Sequence, residues 1–202
     1  MSQVLKRHKL VGNWLNNYQS SCSVLDAGAR EGVLSSLLSS DITYTASDKN
    51  TPGKTNFVDL NKPLPFPETS FDSVVCLDVL EHLSDPWFTM TELFRVARSY
   101  VIISFPNQAY ISFRLRFLFR GVVSGKYSFS PEMLSDRHQW LTTYDQYIDF
   151  VSSFSNDFSL IHNFPIIPER GRGKILTPFE SFLSKLYPNL WVYGNVFIFK
   201  RQ

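Results

Sequence analysis

The sequence predicts an α/β fold in which a mostly parallel sheet carries helices on both faces. Short apolar runs alternate with amphipathic helical patterns along the first half of the chain, as parallel sheets require. A small loop, residues 27–32, joins the first run to a helical pattern. Four of the runs end in an acid, at Asp26, Asp48, Asp59 and Asp78. Ligands of parallel sheets bind where the strands end, so these acids predict a ligand site.

The composition limits the classes of function. A chain of 202 residues is most simply one domain, and a net charge of +2 gives no general argument for a nucleic-acid partner. No window approaches the roughly 20 apolar residues of a membrane span, and the polar first residues predict no signal peptide. Cys22 and Cys76 have neither a metal-ligand spacing nor a disulfide pattern, so no metal site and a reducing, cytoplasmic setting are predicted.

Each element is supported by a local pattern. An N-terminal helix is predicted within residues 1–20, a helix beginning near Glu31, and another beginning at Asp85-Pro86, because proline suits the first helical position. Beyond Asn107 we predict helices over 110–120, after Thr142-Thr143 and over 178–186, with flexible loops at 51–53 and 170–174. β-Branched and aromatic runs predict seven strands, at residues 23–26, 42–46, 56–60, 73–77, 100–105, 158–167 and 192–200.

The glycine loop predicts a nucleotide-type ligand, although two glycines in a small loop are more often a structural turn. A dinucleotide site would continue from Gly28 with glycines at positions 30 and 33, where this chain has Arg30 and Val33. Asp48 lies twenty residues after Gly28, the spacing at which a carboxylate can hold ribose hydroxyls. The loop and Asp48 therefore favour a nucleoside ligand that lacks a pyrophosphate.

The chain resembles the class I S-adenosylmethionine-dependent methyltransferases. The resemblance depends on the segments Val24–Gly32, Asp48, Val58–Leu60 and, most specifically, Phe71–Pro86, and it covers the chain to about Asn107. Segments after Ser104 are further similar to the MetW-type and small-metabolite branch. The resemblance implies a Rossmann-like, seven-stranded, mostly parallel sheet with an antiparallel last strand, and S-adenosylmethionine as the cofactor.

The resemblance also implies the roles of individual residues. Asp48 would bind the ribose hydroxyls, and Asp59 with Leu60 would face adenine. Leu77 and Asp78 would border the methionine ammonium group. The methionine pocket and its surroundings would be completed by Asp26, Gly28, Ala29, Arg30, Gly32 and Lys49. Carboxylates suit this ligand because it carries a sulfonium and an ammonium group.

Arg30 is the main departure from the family's loop, which usually has glycine at this position. A left-handed backbone at an arginine costs about 1 kcal/mol or more, and the positive charge would oppose a sulfonium. Its guanidinium group could instead pair with the ligand's carboxylate or point to solvent. Either weak cofactor binding or a lost catalytic role would follow if the charge faced the sulfonium.

Catalysis requires little more than alignment, because the sulfonium methyl group is already reactive. A hydroxyl or amine acceptor can also need a general base. The candidates are His82, His138, Asp78 and Tyr144. Of these we predict His138 and His82, although His82 also suits a structural role at the start of a helix. Neither assignment follows from spacing alone.

Residues 108–141 are predicted to form an insert over the acceptor side. Within it, the segment Tyr110–Tyr127 has three interpretations: a lid, a helix on a membrane surface, or ordinary core. Its arginines would suit an anionic acceptor such as a phosphorylated metabolite or a lipid-linked sugar. The position of the segment after a central strand favours the lid.

Two functional hypotheses follow. The first is a methyltransferase that acts, as a monomer or homodimer, on a small-molecule acceptor such as a sugar, a lipid-linked glycan or another anionic metabolite. The second is a non-catalytic MetW-like module that partners a biosynthetic enzyme. A nucleic-acid acceptor is disfavoured because residues 78–81, Asp-Val-Leu-Glu, replace the Asn-Pro-Pro-Tyr type of sequence and no extended basic face is evident.

Overall fold

The protein is described from a computed structural model that covers residues 3–19, 21–49, 55–123, 125–127, 129, 131, 136–154, 158–167 and 177–202. The strands are β1 Ser23–Ala27, β2 Thr43–Ser47, β3 Phe71–Leu77, β4 Ala97–Pro106, β5 Phe158–Ile166 and β6 Gly194–Arg201. The α-helices are α1 Gln3–Tyr18, α2 Pro86–Val96, α3 Ile111–Arg120, α4 Tyr144–Ser152, α5 Thr177–Leu186 and α6 Pro188–Trp191. The predicted loops at 51–53 and 170–174 lie outside the described residues.

One mixed sheet organises the molecule, with the strand order β2-β1-β3-β4-β6-β5. β1 pairs in parallel with β2 and β3, and β3 pairs in parallel with β4. β6 is antiparallel to both of its neighbours, as predicted for the last strand. The described residues contain six strands, so the predicted count of seven is not confirmed.

The strand that is not observed is the one predicted over residues 56–60. Asn56 forms only an isolated bridge with Ser47 at the sheet edge. The chain then turns, because the Asp59 carboxylate accepts hydrogen bonds from the backbone amide of Asn61 at 3.1 Å and its side-chain amide at 3.2 Å. Such a local side-chain bond offers the backbone an alternative to strand pairing. Val58 and Leu60 are still buried, so their apolar character reflects packing.

The long helix predicted near Glu31 is instead a short 3₁₀ helix, Val33–Leu37. Ser35 donates its hydroxyl hydrogen to the carbonyl of Gly32 at 2.7 Å, and Ser36 donates to Val33 at 2.9 Å. Serine hydroxyls that bond nearby carbonyls compete with α-helical propagation. The segment therefore ends after five residues.

Helix α2 begins as predicted. The Asp85 carboxylate accepts a hydrogen bond from the amide of Phe88 at 2.9 Å, and Pro86 occupies the first helical position. This N-cap satisfies one of the amides that a helix start leaves unpaired. It also fixes the turn before the helix, residues 80–82, beside the strand end at Asp78.

Alternation along the strands produces an apolar core on each face of the sheet. Val24, Val75 and Ile102 point to one face, and their neighbours Leu25, Val74 and Ile103 point to the other. Helix α1 covers the first face with Val11, Trp14 and Leu15, as its spacing predicts. Helices α2 and α4 contribute Met90, Leu93, Tyr147 and Val151 to the second.

Helix α3 has no buried residue. Phe117, Leu118 and Phe119 are 57%, 73% and 78% exposed. The interpretation of this segment as ordinary core is therefore wrong. No helix among the described residues is both long and apolar enough to cross a membrane.

Candidate cofactor site

A cleft opens at the carboxyl ends of the parallel strands and encloses about 630 Å³ of empty space, part of it open to solvent. This size is in the range of small-molecule sites. Eight of the predicted site residues line it, namely Gly28, Arg30, Asp48, Lys49, Asp59, Leu60, Asp78 and His82. The strand-end acids after β2 and β3 thus meet at one place, as the parallel topology requires.

The glycine loop forms the floor of the cleft. The amides of Gly28 and Ala29 both donate to the carbonyl of Ser47, at 2.8 and 3.0 Å, which fixes the loop against the end of β2. Gly28 has a φ of 82°, and a Cβ there would come within 2.6 Å of Cγ2 of Val79. Glycine is required at this position for both conformation and space.

Arg30 has a φ of 48°, the left-handed backbone that is expected where the family usually has glycine. Its amide donates to Oδ2 of Asp48 at 3.1 Å. The guanidinium group lies 2.5 Å from Oδ1 of Asp136, in the insert. The charge of Arg30 is therefore neutralised by the insert, and the left-handed turn places its amide on the Asp48 carboxylate.

Asp59 carries its negative charge over the normal pH range. Burial alone would raise its pKa, but the hydrogen bonds from Asn61 and the charge of Lys49 outweigh burial and lower the pKa. Lys49 Nζ lies 3.7 Å from Oδ1 of Asp59. This wall of the cleft therefore pairs an anion with a cation.

Asp78 follows β3 with a φ of 53°. Its Oδ1 accepts a hydrogen bond from the Ser104 hydroxyl at 2.7 Å, and its other oxygen forms an ion pair with Arg7 of α1. Arg7 is buried, and its partner Asp78 lines the cleft. Helix α1 therefore both packs on the sheet and contacts a residue of the cleft. Strands β3 and β4 and helix α1 together hold the Asp78 side chain.

Asp26 is buried and is not among the residues that line the cleft. Its Oδ2 accepts a hydrogen bond from the Tyr44 hydroxyl at 2.7 Å. Burial raises the pKa of Asp26 to about 6, although the bond from Tyr44 opposes the shift. The structure thus places Asp26 behind the loop. Ala29, Gly32 and Leu77 also lie outside the cleft lining, as does His138.

Glu81, His82 and His138 form a compact group beside the cleft, which we call the Glu-His-His cluster. Their ligand-type atoms all lie within 4.8 Å of one another. Nε2 of each histidine is 3.9 Å from Oε1 of Glu81. The turn after Asp78 supplies the first two residues, and the insert supplies the third.

Burial controls the ionisation of the cluster. It lowers the pKa of His138 to about 3 and also lowers the pKa of His82, although the Arg137 carbonyl opposes the latter shift. Burial raises the pKa of Glu81 to about 7. Both histidines are therefore neutral at pH 7, when each ring has one hydrogen donor and one lone pair.

A second, mainly apolar pocket lies on the other side of the turn at residues 80–82. It encloses about 660 Å³ of empty space, again partly open to solvent. Glu81 lines this pocket, whereas His82 lines the cofactor cleft. The apolar lining includes Leu80, Trp87, Phe105, Trp140, Tyr147 and Phe150. The Glu-His-His cluster therefore separates two pockets.

Sequence reasoning missed several residues of the site. Val58, Val79 and Leu83 complete the apolar part of the cleft, and Asp136 and Arg137 reach it from the insert. Glu81 was not predicted as a site residue, although its position next to a histidine was a signal. The contribution of Asp136 and Arg137 had no sequence signal, since they lie in an irregular segment.

Comparison with known proteins identifies the domain. Residues 25–105 match the family model of a methyltransferase domain. This stretch of the chain is similar to methyltransferase domains. The matched segment begins in β1 and ends in β4, so it contains the glycine loop and the strand ends that line the cleft. The resemblance to class I methyltransferases is thereby confirmed.

Solved structures share the fold of the whole chain. The small RNA methyltransferase HEN1 has a TM-score of 0.65 at 14% identity, covering 98% of this chain, which spans only 25% of the HEN1 chain. Magnesium protoporphyrin IX methyltransferase from Synechocystis PCC 6803, with bound S-adenosylhomocysteine, has a TM-score of 0.62 at 17% identity, covering 99% and 84%. An S-adenosylmethionine-dependent methyltransferase from Archaeoglobus fulgidus has a TM-score of 0.56 at 18% identity, covering 96% and 94%. A search among curated proteins found no matching sequence.

The cofactor implied by the methyltransferase domain is S-adenosylmethionine, and the residues of the cleft fit it. Carboxylates of Asp48, Asp59 and Asp78 line the cleft. Such a donor set can accept hydrogen bonds from ribose hydroxyls and an ammonium group and attracts a sulfonium. The cleft therefore has the polarity that this cation needs.

Proposed function

We propose that the protein is an S-adenosylmethionine-dependent methyltransferase that acts on a small-molecule acceptor. The observation that carries the proposal is the convergence of three carboxylates and a left-handed glycine loop in one cleft of a methyltransferase domain. The bound cofactor would supply an activated methyl group. The protein's part is to align the acceptor with that group and to exclude water.

In this proposal each cleft residue has a distinct task. Asp48 receives the ribose hydroxyls. The Arg30 amide donates to one oxygen of this carboxylate at 3.1 Å and so holds it in a fixed orientation. Asp59 and Leu60 contact the adenine end, where Asn61 holds the Asp59 carboxylate. Asp78, fixed by Ser104, faces the methionine end. Each carboxylate is thus oriented before the ligand arrives, which lowers the cost of binding.

We propose the apolar pocket beside the Glu-His-His cluster as the acceptor pocket. Its aromatic side chains suit a planar or hydrophobic part of an acceptor. Thr142 and Gln146 provide polar groups at the same pocket. An acceptor held there would reach the cofactor cleft past the turn at residues 80–82.

The insert over residues 108–141 would then belong to the single domain and complete the site. Its C-terminal part is attached to the turn beside the cleft, because the amides of Gln139 and Trp140 both donate to the carbonyl of Glu81, at 2.8 and 3.2 Å. The Trp140 indole also donates to the carbonyl of Leu83 at 2.8 Å. These bonds support a role in shaping the acceptor side.

Cofactor binding should be measurable by isothermal titration with S-adenosylmethionine and S-adenosylhomocysteine. Asp48→Asn should weaken both ligands by roughly 10- to 100-fold, since a hydrogen bond to a charged group contributes about 1.5–3 kcal/mol. Asp41→Asn is the matched control, because Asp41 is an exposed carboxylate that accepts a hydrogen bond from the Ser21 amide at 3.1 Å and does not line the cleft. It should leave both affinities unchanged.

The outcome of the titration is decisive for the proposal. Absence of binding at millimolar ligand by the unsubstituted protein would reject it. Binding without methyl transfer to any acceptor, together with copurification of a stoichiometric partner protein, would instead support the non-catalytic MetW-like module. Transfer of methyl groups in a metabolite screen, detected through the nucleoside product, would identify the acceptor.

We further propose that α3 contacts an anionic lipid surface. The helix exposes Phe117, Leu118 and Phe119 next to Arg114, Arg116 and Arg120. No acidic residue occurs between positions 107 and 127. Apolar side chains that enter a bilayer interface and arginines that meet acidic headgroups stabilise such contacts together. The charge and exposure of α3 fit this surface better than a closed lid.

Sedimentation with vesicles tests this contact. The protein should bind vesicles that contain anionic lipid at low salt and should be released by salt. The double substitution Leu118→Ser and Phe119→Ser should lower the partition by roughly 10-fold or more, because each buried side chain contributes about 1.5–3 kcal/mol. Phe57→Ser is the control, since Phe57 is 73% exposed but lies outside α3. Equal binding by all three proteins would contradict the assignment.

A further inference from the structure

We infer that the Glu-His-His cluster is a binding site for a divalent transition-metal cation, with Glu81, His82 and His138 as ligands. The sequence analysis predicted no metal site, and the methyltransferase domain does not require one. The inference concerns a second site next to the cofactor cleft and does not depend on cofactor binding. Four observations support it.

The first observation is the direction of the histidine lone pairs. Nδ1 of His82 lies 2.8 Å from the carbonyl oxygen of Arg137, which can only accept, so Nδ1 carries the hydrogen. The Tyr127 hydroxyl donates to the carbonyl of Trp140 at 2.5 Å, so its oxygen accepts from Nδ1 of His138 at 3.0 Å. The lone pair that each ring can offer to a metal is then on Nε2. Both Nε2 atoms lie 3.9 Å from the same carboxylate oxygen.

The second observation is that the buried polar atoms of the cluster lack partners. Glu81 is 1% exposed, and neither of its carboxylate oxygens has a hydrogen-bond partner. Nε2 of His138 also has none. A buried carboxylate without a hydrogen bond costs several kcal/mol, and so it is rare in stable folds. A metal cation would satisfy a carboxylate and two imidazole lone pairs together.

The third observation concerns the neighbouring charges. Arg7 is paired with Asp78, and Nζ of Lys126 lies 3.0 Å from Oδ2 of Asp136. The positive charges that act on Glu81 are therefore already paired with other acids. Neither cation is hydrogen-bonded to the carboxylate oxygens of Glu81, so those oxygens remain available to a ligand.

The fourth observation is the geometry. A cation at 2.0–2.2 Å from each ligand atom holds those atoms about 3.3 Å apart in a tetrahedral site. The two nitrogen-to-oxygen separations of 3.9 Å would each have to shorten by roughly half an ångström, and all the ligand-type atoms already lie within 4.8 Å of one another. Histidines whose other nitrogen donates to a carbonyl or hydroxyl are typical of metal ligands, because this bond fixes the ring.

The donor set indicates the kind of cation. Two imidazoles and one carboxylate suit Zn²⁺, Co²⁺ or Fe²⁺, whereas Mg²⁺ and Ca²⁺ prefer oxygen ligands. Three protein ligands leave at least one coordination position open, as in catalytic zinc sites. The cluster separates the cofactor cleft from the apolar pocket, so the open position would be available to an oxygen atom of the acceptor.

Metal binding by the purified, chelator-treated protein tests the inference directly. Isothermal titration with Zn²⁺ should show one strong site per chain, and Co²⁺ should give the visible absorption of an ion bound by the protein. Glu81→Gln and His138→Gln should each weaken Zn²⁺ binding by about 100-fold or more, beyond the effect of losing an outer-shell partner. His162→Gln should bind as the unsubstituted protein does, because His162 lies in β5 among aromatic rings.

Thermal unfolding separates a metal ligand from a merely structural acid. Without metal, Glu81→Gln should be as stable as the unsubstituted protein or more stable, since an amide can donate to the imidazole lone pairs. With Zn²⁺, only the unsubstituted protein and His162→Gln should gain stability. Absence of stoichiometric Zn²⁺ binding, or binding that survives both cluster substitutions, would overturn the inference. Titration without S-adenosylmethionine keeps this result independent of the proposed methyltransferase activity.

Discussion

Gly28→Ala should destabilise the protein by roughly 2–5 kcal/mol. Two independent costs combine at this position. A left-handed backbone at a residue with a Cβ costs about 1–2 kcal/mol, and Gly28 has a φ of 82°. Forcing a methyl group into packed space costs about 1–3 kcal/mol, and this Cβ would lie 2.6 Å from Val79.

A matched glycine separates the two costs. Gly121 has a φ of 66°, and nothing lies within 4 Å of the position where its Cβ would be. Gly121→Ala should therefore cost only the conformational part, about 1–2 kcal/mol. Adding Val79→Ala to Gly28→Ala should relieve the steric part. Chemical denaturation of the four proteins provides the comparison, and equal losses for the two glycine variants would refute the steric argument.

Gly28→Ala should also weaken the binding of the cofactor. The amides of Gly28 and Ala29 hold the loop on the carbonyl of Ser47, next to Asp48. A shift of the loop away from Val79 would disturb these bonds and the contact between the Arg30 amide and Asp48. We therefore expect weaker S-adenosylmethionine binding by Gly28→Ala and unchanged binding by Gly121→Ala.

The sequence predicted most of the sheet because buried parallel strands leave a strong local pattern. β3 and β4 are almost continuous apolar runs, and their observed bounds extend the predicted strands by a few residues at most ends. The start of α2 was also predictable from a local signal, because Asp85 and Pro86 act on the first turn of the helix. In these elements the local preference agrees with the tertiary structure.

The failures have the opposite cause. Residues 56–60 alternate like a strand, yet two hydrogen bonds from Asn61 to Asp59 turn the chain away from the sheet. Serines shortened the helix predicted near Glu31 by bonding their own turn. Both differences from the predicted elements depend on side-chain hydrogen bonds that compete with regular backbone pairing. The spacing of apolar residues in the sequence does not reveal such bonds.

Much of the candidate site was predictable, because strand ends meet at one edge of a parallel sheet. The cluster was not, since His138 approaches Glu81 only through the insert, 57 positions along the chain. Arg30 shows the intermediate case. Its strained backbone followed from the comparison with a glycine loop, but its pairing with Asp136 required the fold.

Asp26 should make the protein less stable as the pH rises from about 4 to 7. The pKa of this carboxyl group is raised from 3.8 to about 6 in the folded state, chiefly by burial. The folded protein therefore binds the proton more tightly than the unfolded chain. The stability due to this group is complete below the unfolded pKa and is lost as the pH rises through the folded pKa. A shift of about 2 units corresponds to about 3 kcal/mol.

Asp26→Asn removes the ionisation and keeps an oxygen that accepts from the Tyr44 hydroxyl, which bonds Oδ2 of Asp26 at 2.7 Å. The free energy of unfolding of this variant should therefore rise relative to the unsubstituted protein by about 3 kcal/mol between pH 4 and 7. The amide hydrogens of asparagine add a constant cost, so the pH-dependent difference is the quantity to measure. Denaturation at several pH values provides it.

Asp41→Asn supplies a control of opposite sign. Asp41 is exposed, and hydrogen bonds from the backbone, first that of Ser21, lower its pKa. Its stabilising effect is therefore present above the unfolded pKa and is lost as the pH falls, so the substitution should not make the protein gain stability toward pH 7. Tyr44→Phe should enlarge the loss of stability that Asp26 causes as the pH rises. The reason is that the hydrogen bond from the Tyr44 hydroxyl opposes the rise of the Asp26 pKa. Parallel stability curves for Asp26→Asn and the unsubstituted protein would show that Asp26 is already solvated, and would contradict its position behind the loop.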